Sequence, residues 1–257
     1  MNRKIFVLTA IAAATLSSCS IYHPQAVDIP LIDHAGDSRI DAAASISNTD
    51  MAFNSTYTYG FTDCLAGQVH FNVSDHMICG QLAGGAYKTI GNNGVLEGYL
   101  GYNAGYVNGR ADIDEVSSNS SRYQYHGCFS VPFGQVNLGC KWPHVELGLG
   151  VKVGYYMPDI KYCEYGYDHH DREYITFSDN YTQQNVLIEP QFIFRAGAEH
   201  FKWCFKAQFA RIGNVNSWDI GATDLTYDTF SFSSGINISF GGRNNSKPVW
   251  DNEEYKD

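Results

Sequence analysis

Two groups of residues in this 257-residue chain could do chemistry. The first is the run Asp168-His169-His170-Asp171. Imidazole nitrogens and carboxylate oxygens are ligands that divalent metals take. Adjacent histidines in a polar stretch rarely converge on one ion without supporting groups. The four are therefore weak metal candidates, and the expectation is a solvated loop with no metal and no cofactor. The second group is a set of charges: Glu97, Lys141, Glu146, Lys152, Glu189, Arg195, Glu199, Lys202 and Lys206. They recur on one parity of alternating segments. Across a turn at 142–144, Lys141 is expected opposite Glu146, and Gln135 near Lys152. Across a turn near 200, Glu199 is expected opposite Lys202, and Arg195 opposite Lys206. Like charges meeting there call for neighbouring carboxylates such as Glu189. Such a set could line a charged pore or a buried site. Small barrels instead fill their interiors with side chains, and buried charges persist when paired. A paired, filled interior is the expectation here.

The elements that must position these charges are strands. Residues 145–156 read VELGLGVKVGYY. Val145, Leu147, Leu149, Val151, Val153 and Tyr155 share one parity, while Glu146, Lys152 and four glycines or aromatics share the other. Successive strand side chains point to opposite faces. The same pattern recurs at 40–46, 53–61, 65–73, 96–106, 186–198, 201–209 and 230–240. Residues 77–88 alternate poorly and are taken as a strand by position. Along 122–141 the parity slips near Pro132-Phe133, which predicts a bulge. The Asn93-Gly94 step signals a hairpin turn. Polar stretches cover about 108–121, 158–184 and 213–227, while the connections at 62–63, 89–94, 142–144 and near 200 are short. The fold class expected is all-β: an antiparallel up-and-down transmembrane β-barrel of about ten strands. Short turns face the periplasm and long loops the exterior in that architecture, which puts both termini in the periplasm. Trp142, Phe201, Trp203 and Phe240 would form one aromatic girdle, and Tyr106, Tyr155 and Tyr156 the other.

Residues 1–18 carry Arg3 and Lys4, then an apolar run too short to span a bilayer. Leu16-Ser17-Ser18-Cys19 resembles the lipobox of bacterial lipoproteins, in which the cysteine is acylated and becomes the mature N-terminus. The resemblance implies a lipoprotein signal peptide over 1–18 and lipidation of Cys19. Ser20 in the next position implies delivery to the outer membrane. Residues 19–37 are expected as an extended periplasmic lead-in, 38–241 as the barrel and 242–257 as a polar tail. The string Asp28-Ile29-Pro30-Leu31, followed by Gly36-Asp37 and a strand, resembles the entry segment of small outer-membrane β-barrel (lipo)proteins of Bacteroidetes. That resemblance implies an architecture and no particular activity.

Formal charge is −10, which disfavours nucleic acid as a partner. The seven cysteines form no CxxC pair. Apart from Cys19 they are expected as free residues in or near strands, one or two disulfides being the alternative. The function expected is a non-enzymatic outer-membrane barrel lipoprotein serving envelope structure or surface interaction through its long loops. Its partners would be outer-membrane lipid and a possible surface ligand or protein, with the lipid anchor on the periplasmic side. Two other classes stay open. One is a periplasmic ligand-binding β-barrel or sandwich, disfavoured by the Gly, Ser, Thr, Asn and Gln on the second face. The other is an outer-membrane hydrolase, for which no second acidic pair matches the Asp/His chemistry of outer-membrane proteases.

Overall fold

β-Branched and aromatic residues favour extended backbone because their side chains pack well on a pleated surface. Here they build a sheet with one apolar face. The computed structural model describes residues 20–25, 28–114, 120–167, 173–213 and 226–241. The strands are β1 (Ser38–Ser47), β2 (Met51–Gly60), β3 (Leu65–Ser74), β4 (Met77–Ile90), β5 (Gly94–Asp114) and β6 (Ser120–Lys141). They continue as β7 (Val145–Tyr167), β8 (Glu173–Tyr181), β9 (Asn185–Gly197), β10 (Phe201–Phe209), β11 (Arg211–Ile212) and β12 (Phe230–Phe240). Each strand from β1 to β7 pairs antiparallel with the next, β7 pairs with β9, and the order runs on through β10 and β12 back to β1. Ten strands therefore close a barrel, leaving no open edge within it. β8 pairs with the far end of β7, and β11 with the start of β9. Much of what read as polar loop is thus hairpin: β5 and β6 stay paired out to Asp114 and Ser120, and β7 and β8 out to Tyr167 and Glu173.

The outer face is apolar around the ring. Leu100 is 75% exposed, Leu149 61% and Val136 60%. A continuous belt of such residues is the mark of a surface that meets hydrocarbon instead of water. Trp142, Phe201, Trp203 and Phe240 lie exposed near the short-turn end, with Tyr106 and Tyr155 toward the other. Tyr156 does not join them: it points inward and is fully buried.

The 77–88 segment is a strand, as its position suggested, and it is regular: Met77, Cys79, Gln81 and Tyr87 face inward. One reading of strand pattern is corrected. β6 has no bulge, since its register with β5 is unbroken from Gly94↔Cys140 to Asp114↔Ser120. Its apparent slip came from Val131 and Phe133, which are apolar yet face inward. The poor alternation of β4 and the apparent slip of β6 share a cause: at these levels the lumen is itself apolar. The 91–93 turn forms as expected, but the positive φ of 60° falls on Gly91, and Gly94 opens β5. Among the described residues Cys64, Cys79, Cys128, Cys140, Cys163 and Cys204 are all free.

What makes the lumen apolar is the N-terminal segment. The stretch expected as a periplasmic lead-in runs through the barrel as a plug. Ile21, Tyr22, Gln25, Asp28, Ile29, Leu31 and Ile32 are all buried. Pro24 and Pro30 keep it extended, so its peptide groups remain available to the wall. Ile21 and Tyr22 pack against Met77, Cys79, Val107, Phe129, Val131 and Tyr156 near the long-loop end. Ile29 and Leu31 pack against Val95 and Ile193, and Ile32 against Tyr87 and Tyr99, toward the short-turn end. Gly139 lets the segment approach: a Cβ there would lie 2.6 Å from Leu31. Its prolines and lack of period suggested an extended lead-in outside the barrel, but its polar groups match a polar inner wall.

The lipid-facing assignment generates a test. Leu100→Arg should cost about 2–4 kcal/mol of stability in lipid vesicles. The check is a urea unfolding titration of vesicle-inserted protein, and an unchanged midpoint would remove Leu100 from the hydrocarbon.

Candidate functional site in the barrel lumen

The site is the contact between plug and wall. Alternation places Arg39 and Asp41 of β1, Glu97 of β5, Glu146 and Lys152 of β7, Glu189 and Arg195 of β9, and Lys202 and Lys206 of β10 on the inner face, all buried. Glu146 is the hub. Arg39 grips it with two donors, Nη1 to Oε2 at 2.7 Å and Nη2 to Oε1 at 3.1 Å. Arg195 Nη1 donates to the same Oε2 at 2.8 Å, and Lys202 Nζ lies 3.3 Å from Oε1. Three cations around one carboxylate leave a surplus of positive charge.

The plug supplies part of the balance. Asp28 bonds to Arg195 Nη2, and its Oδ1 lies 3.6 Å from Lys206 Nζ. Arg195 Nη2 also donates to the backbone carbonyl of Ile29 at 2.8 Å. Lys206 is shared with Asp41. Further along, Gln68 donates to the Asp28 carbonyl at 3.1 Å, and Glu97 accepts from the Ile32 amide at 2.9 Å. Nearer the long-loop end, Tyr22 donates to Glu189 at 2.8 Å, and Glu189 pairs with Lys152. Asn103 donates to Gln25 at 3.0 Å, and His23 contacts Asn72 at 3.2 Å. Through these contacts the plug is bound by side chains of four strands, β3, β5, β9 and β10.

The short-turn mouth carries a third cluster. Asp33, His34 and Asp37 lie together with a spacing that could hold a cation. Lys141 Nζ already sits there, 3.1 Å from Asp33 and 3.4 Å from Asp37. Burial works to raise the pKa of Asp33, but Lys141 and His34 outweigh it and hold the carboxyl below its usual value. Asp37 goes the other way, raised by its burial. The Lys141 ammonium supplies positive charge to both carboxylates.

The expected pairings are redistributed accordingly. Lys141 is opposite Glu146 in register, yet its side chain turns to Asp33 and Asp37, because Glu146 is occupied by three other cations. Gln135 does lie opposite Lys152. Arg195 faces Cys204 and not Lys206, because Lys202 pairs with Gly197 and shifts the register by two residues. Glu199 leaves the ladder for the turn, where its side chain is exposed and only its carbonyl meets Lys202, at 2.8 Å. It is therefore not part of the interior. Asp168, His169, His170, Asp171 and Cys19 lie outside the described residues. Asp28, Arg39, Asp41 and Tyr22 were missed. Arg39 and Asp41 had the right parity to be found, whereas nothing local marked Asp28.

Comparison with solved structures agrees with this architecture. The chain is similar to the outer membrane protease OmpT from Escherichia coli, with a TM-score of 0.53, 10% identity, and 80% of this chain and 93% of that one covered. It also matches the translocator domain of the autotransporter NalP from Neisseria meningitidis, with a TM-score of 0.40, 11% identity, and 92% and 95% covered. No protein-family model matches the chain, and no curated protein matches it. The likeness to OmpT is one of fold: a closed, antiparallel outer-membrane β-barrel of ten strands.

Breaking a buried ion pair by removing one partner typically costs about 3–5 kcal/mol. Asp28→Ala should destabilise the barrel on that scale, and Glu146→Ala at least as much, since it strands Arg39, Arg195 and Lys202. Unfolding midpoints in detergent check both, and an Asp28→Ala midpoint equal to the parent's would show that the latch is not holding.

Proposed function

We propose that this protein is a plugged, non-enzymatic outer-membrane β-barrel lipoprotein, serving envelope structure or interaction at the cell surface. The observation that carries the reading is the occupied lumen: residues 20–25 and 28–34 fill it, and wall charges bind them. A barrel filled in this way has no open path for solutes. It does offer a rigid base from which the β5–β6 and β7–β8 hairpins project. Tyr174, Ile175 and Phe177 on β8 are exposed there, which suits contact with a protein or ligand. Long connections lie outside in such barrels, so these hairpins face the exterior. The lipobox-like stretch ending at Cys19 supports acylation of that residue. The entry strings Asp28–Leu31 and Gly36–Asp37, which resemble those of Bacteroidetes barrels, belong to the plug and its exit. Proteolysis is not carried over from OmpT, because a 10% identity speaks for the fold alone.

The reading is tested by conductance. In planar bilayers the purified protein should show no steady open pore. Deleting residues 20–34 should produce one. A stable open conductance from the intact protein would overturn the plugged reading.

A further inference from the structure

The plug has a direction, and the direction decides where residue 19 goes. Ser20 bridges Thr226, and the Ile21 amide donates to the Thr226 carbonyl at 2.9 Å. The Asp228 amide donates to the Tyr22 carbonyl at 2.8 Å. The Tyr125 hydroxyl donates to the Ser20 carbonyl at 3.0 Å, and the Tyr156 hydroxyl to the Ile21 carbonyl at 3.3 Å. Thr226 and Asp228 lead into the long-loop end of β12. At the other end of the same segment, Asp33 and Asp37 meet Lys141, beside the short turn at 142–144. Residues 20–37 therefore cross the lumen from the long-loop mouth to the short-turn mouth. Only then does β1 begin.

One peptide bond joins Cys19 to Ser20, so their Cα atoms are about 3.8 Å apart. The apolar band of an outer-membrane barrel is about 25 Å tall. A group carried on the Cys19 sulfur has no length of chain with which to return to the short-turn side. Acyl chains also find no place inside the lumen, which is packed with the plug and with buried charges. We infer that the plug delivers Cys19 to the exterior, and that an acylated Cys19 inserts into the lipid surface on the long-loop side. This rests on the acylation reading given under Proposed function; the route through the lumen does not. On that side β1 and β2 meet in the short 48–50 turn, and the outer wall beside it carries Ile46, Met51 and Phe53, all exposed. Those residues give acyl chains an apolar surface to lie against. Anchorage in the opposite leaflet is compatible only with a withdrawn plug.

The test places an epitope after Cys19 in the full-length protein. The insert opens with serine, so the position following the cysteine keeps its residue. Antibody binding to intact cells should equal binding after the outer membrane is permeabilised. Protease treatment of intact cells at a site within the insert should release the barrel from an acylated N-terminal peptide, detected by mass. Deleting residues 20–34 behind the same epitope should abolish the signal on intact cells, because Cys19 would then begin at the short-turn mouth. An epitope reached only after permeabilisation, in protein that still shows a heat-dependent shift on a gel, overturns the inference. So does exposure that survives the deletion. An exposed epitope on an unacylated peptide overturns the lipid contact through failure of the acylation reading, and supports the route.

Discussion

The structure depends on the carboxylate of Asp28 lying between Arg195 and Lys206. The wall of the lumen gathers more cations around Glu146 than one carboxylate can balance, in surroundings of low dielectric. An acid from outside the wall is needed there, and the plug brings it. Replacing buried ion pairs with well-packed apolar groups is often neutral or stabilising. The charges are thus better understood as a device for position than as a source of stability. They set which residue of a sliding, extended segment stops at which level of the barrel.

That stop sets the layers above and below it. Apolar residues of the plug fall at two levels, Ile21 and Tyr22 toward the loops, and Ile29, Leu31 and Ile32 toward the turns. The wall becomes apolar at those same levels, with Phe129, Val131 and Tyr156 at one and Val95 and Ile193 at the other. Between them lie Gln25 and Asp28, met by Asn103, Gln68 and Arg195. Wall and plug are complementary in sequence along the barrel axis. A slip of the plug by one residue would put Asp28 among aliphatic side chains and leave Arg195 without its partner. Leu31 adopts a φ of 53°, a left-handed conformation that costs a β-carbon-bearing residue about 1–2 kcal/mol. It is held there by complete burial, close to where the segment leaves the lumen.

Direction follows from the same constraint. Because the segment enters β1 at the short-turn end, its other end must emerge among the long connections. Ser20 is thereby separated from the start of β1 by the height of the barrel. A lead-in lying outside the barrel would have left the two on one side.

Much of the barrel was legible in the sequence. The period-two alternation of 145–156 and its counterparts determines which side chains face lipid, and the short and long connections determine the strand count and the sense of the turns. These depend on local geometry, since neighbouring side chains in a strand must point in opposite directions. The inward parity of Glu146, Lys152, Arg195 and Lys206 follows from the same rule. Their partners do not. Lys141 turns away from its cross-strand neighbour, Arg195 bonds to a residue far from it in the chain, and Val131 and Phe133 look out of place until Ile21 and Tyr22 stand beside them. Such pairings depend on what else occupies the lumen. Residues 20–37 carry no periodicity, because they form no ladder with a neighbouring strand along their length. Only closure of β1 onto β12 creates the enclosed space whose charges and apolar layers give that segment a place.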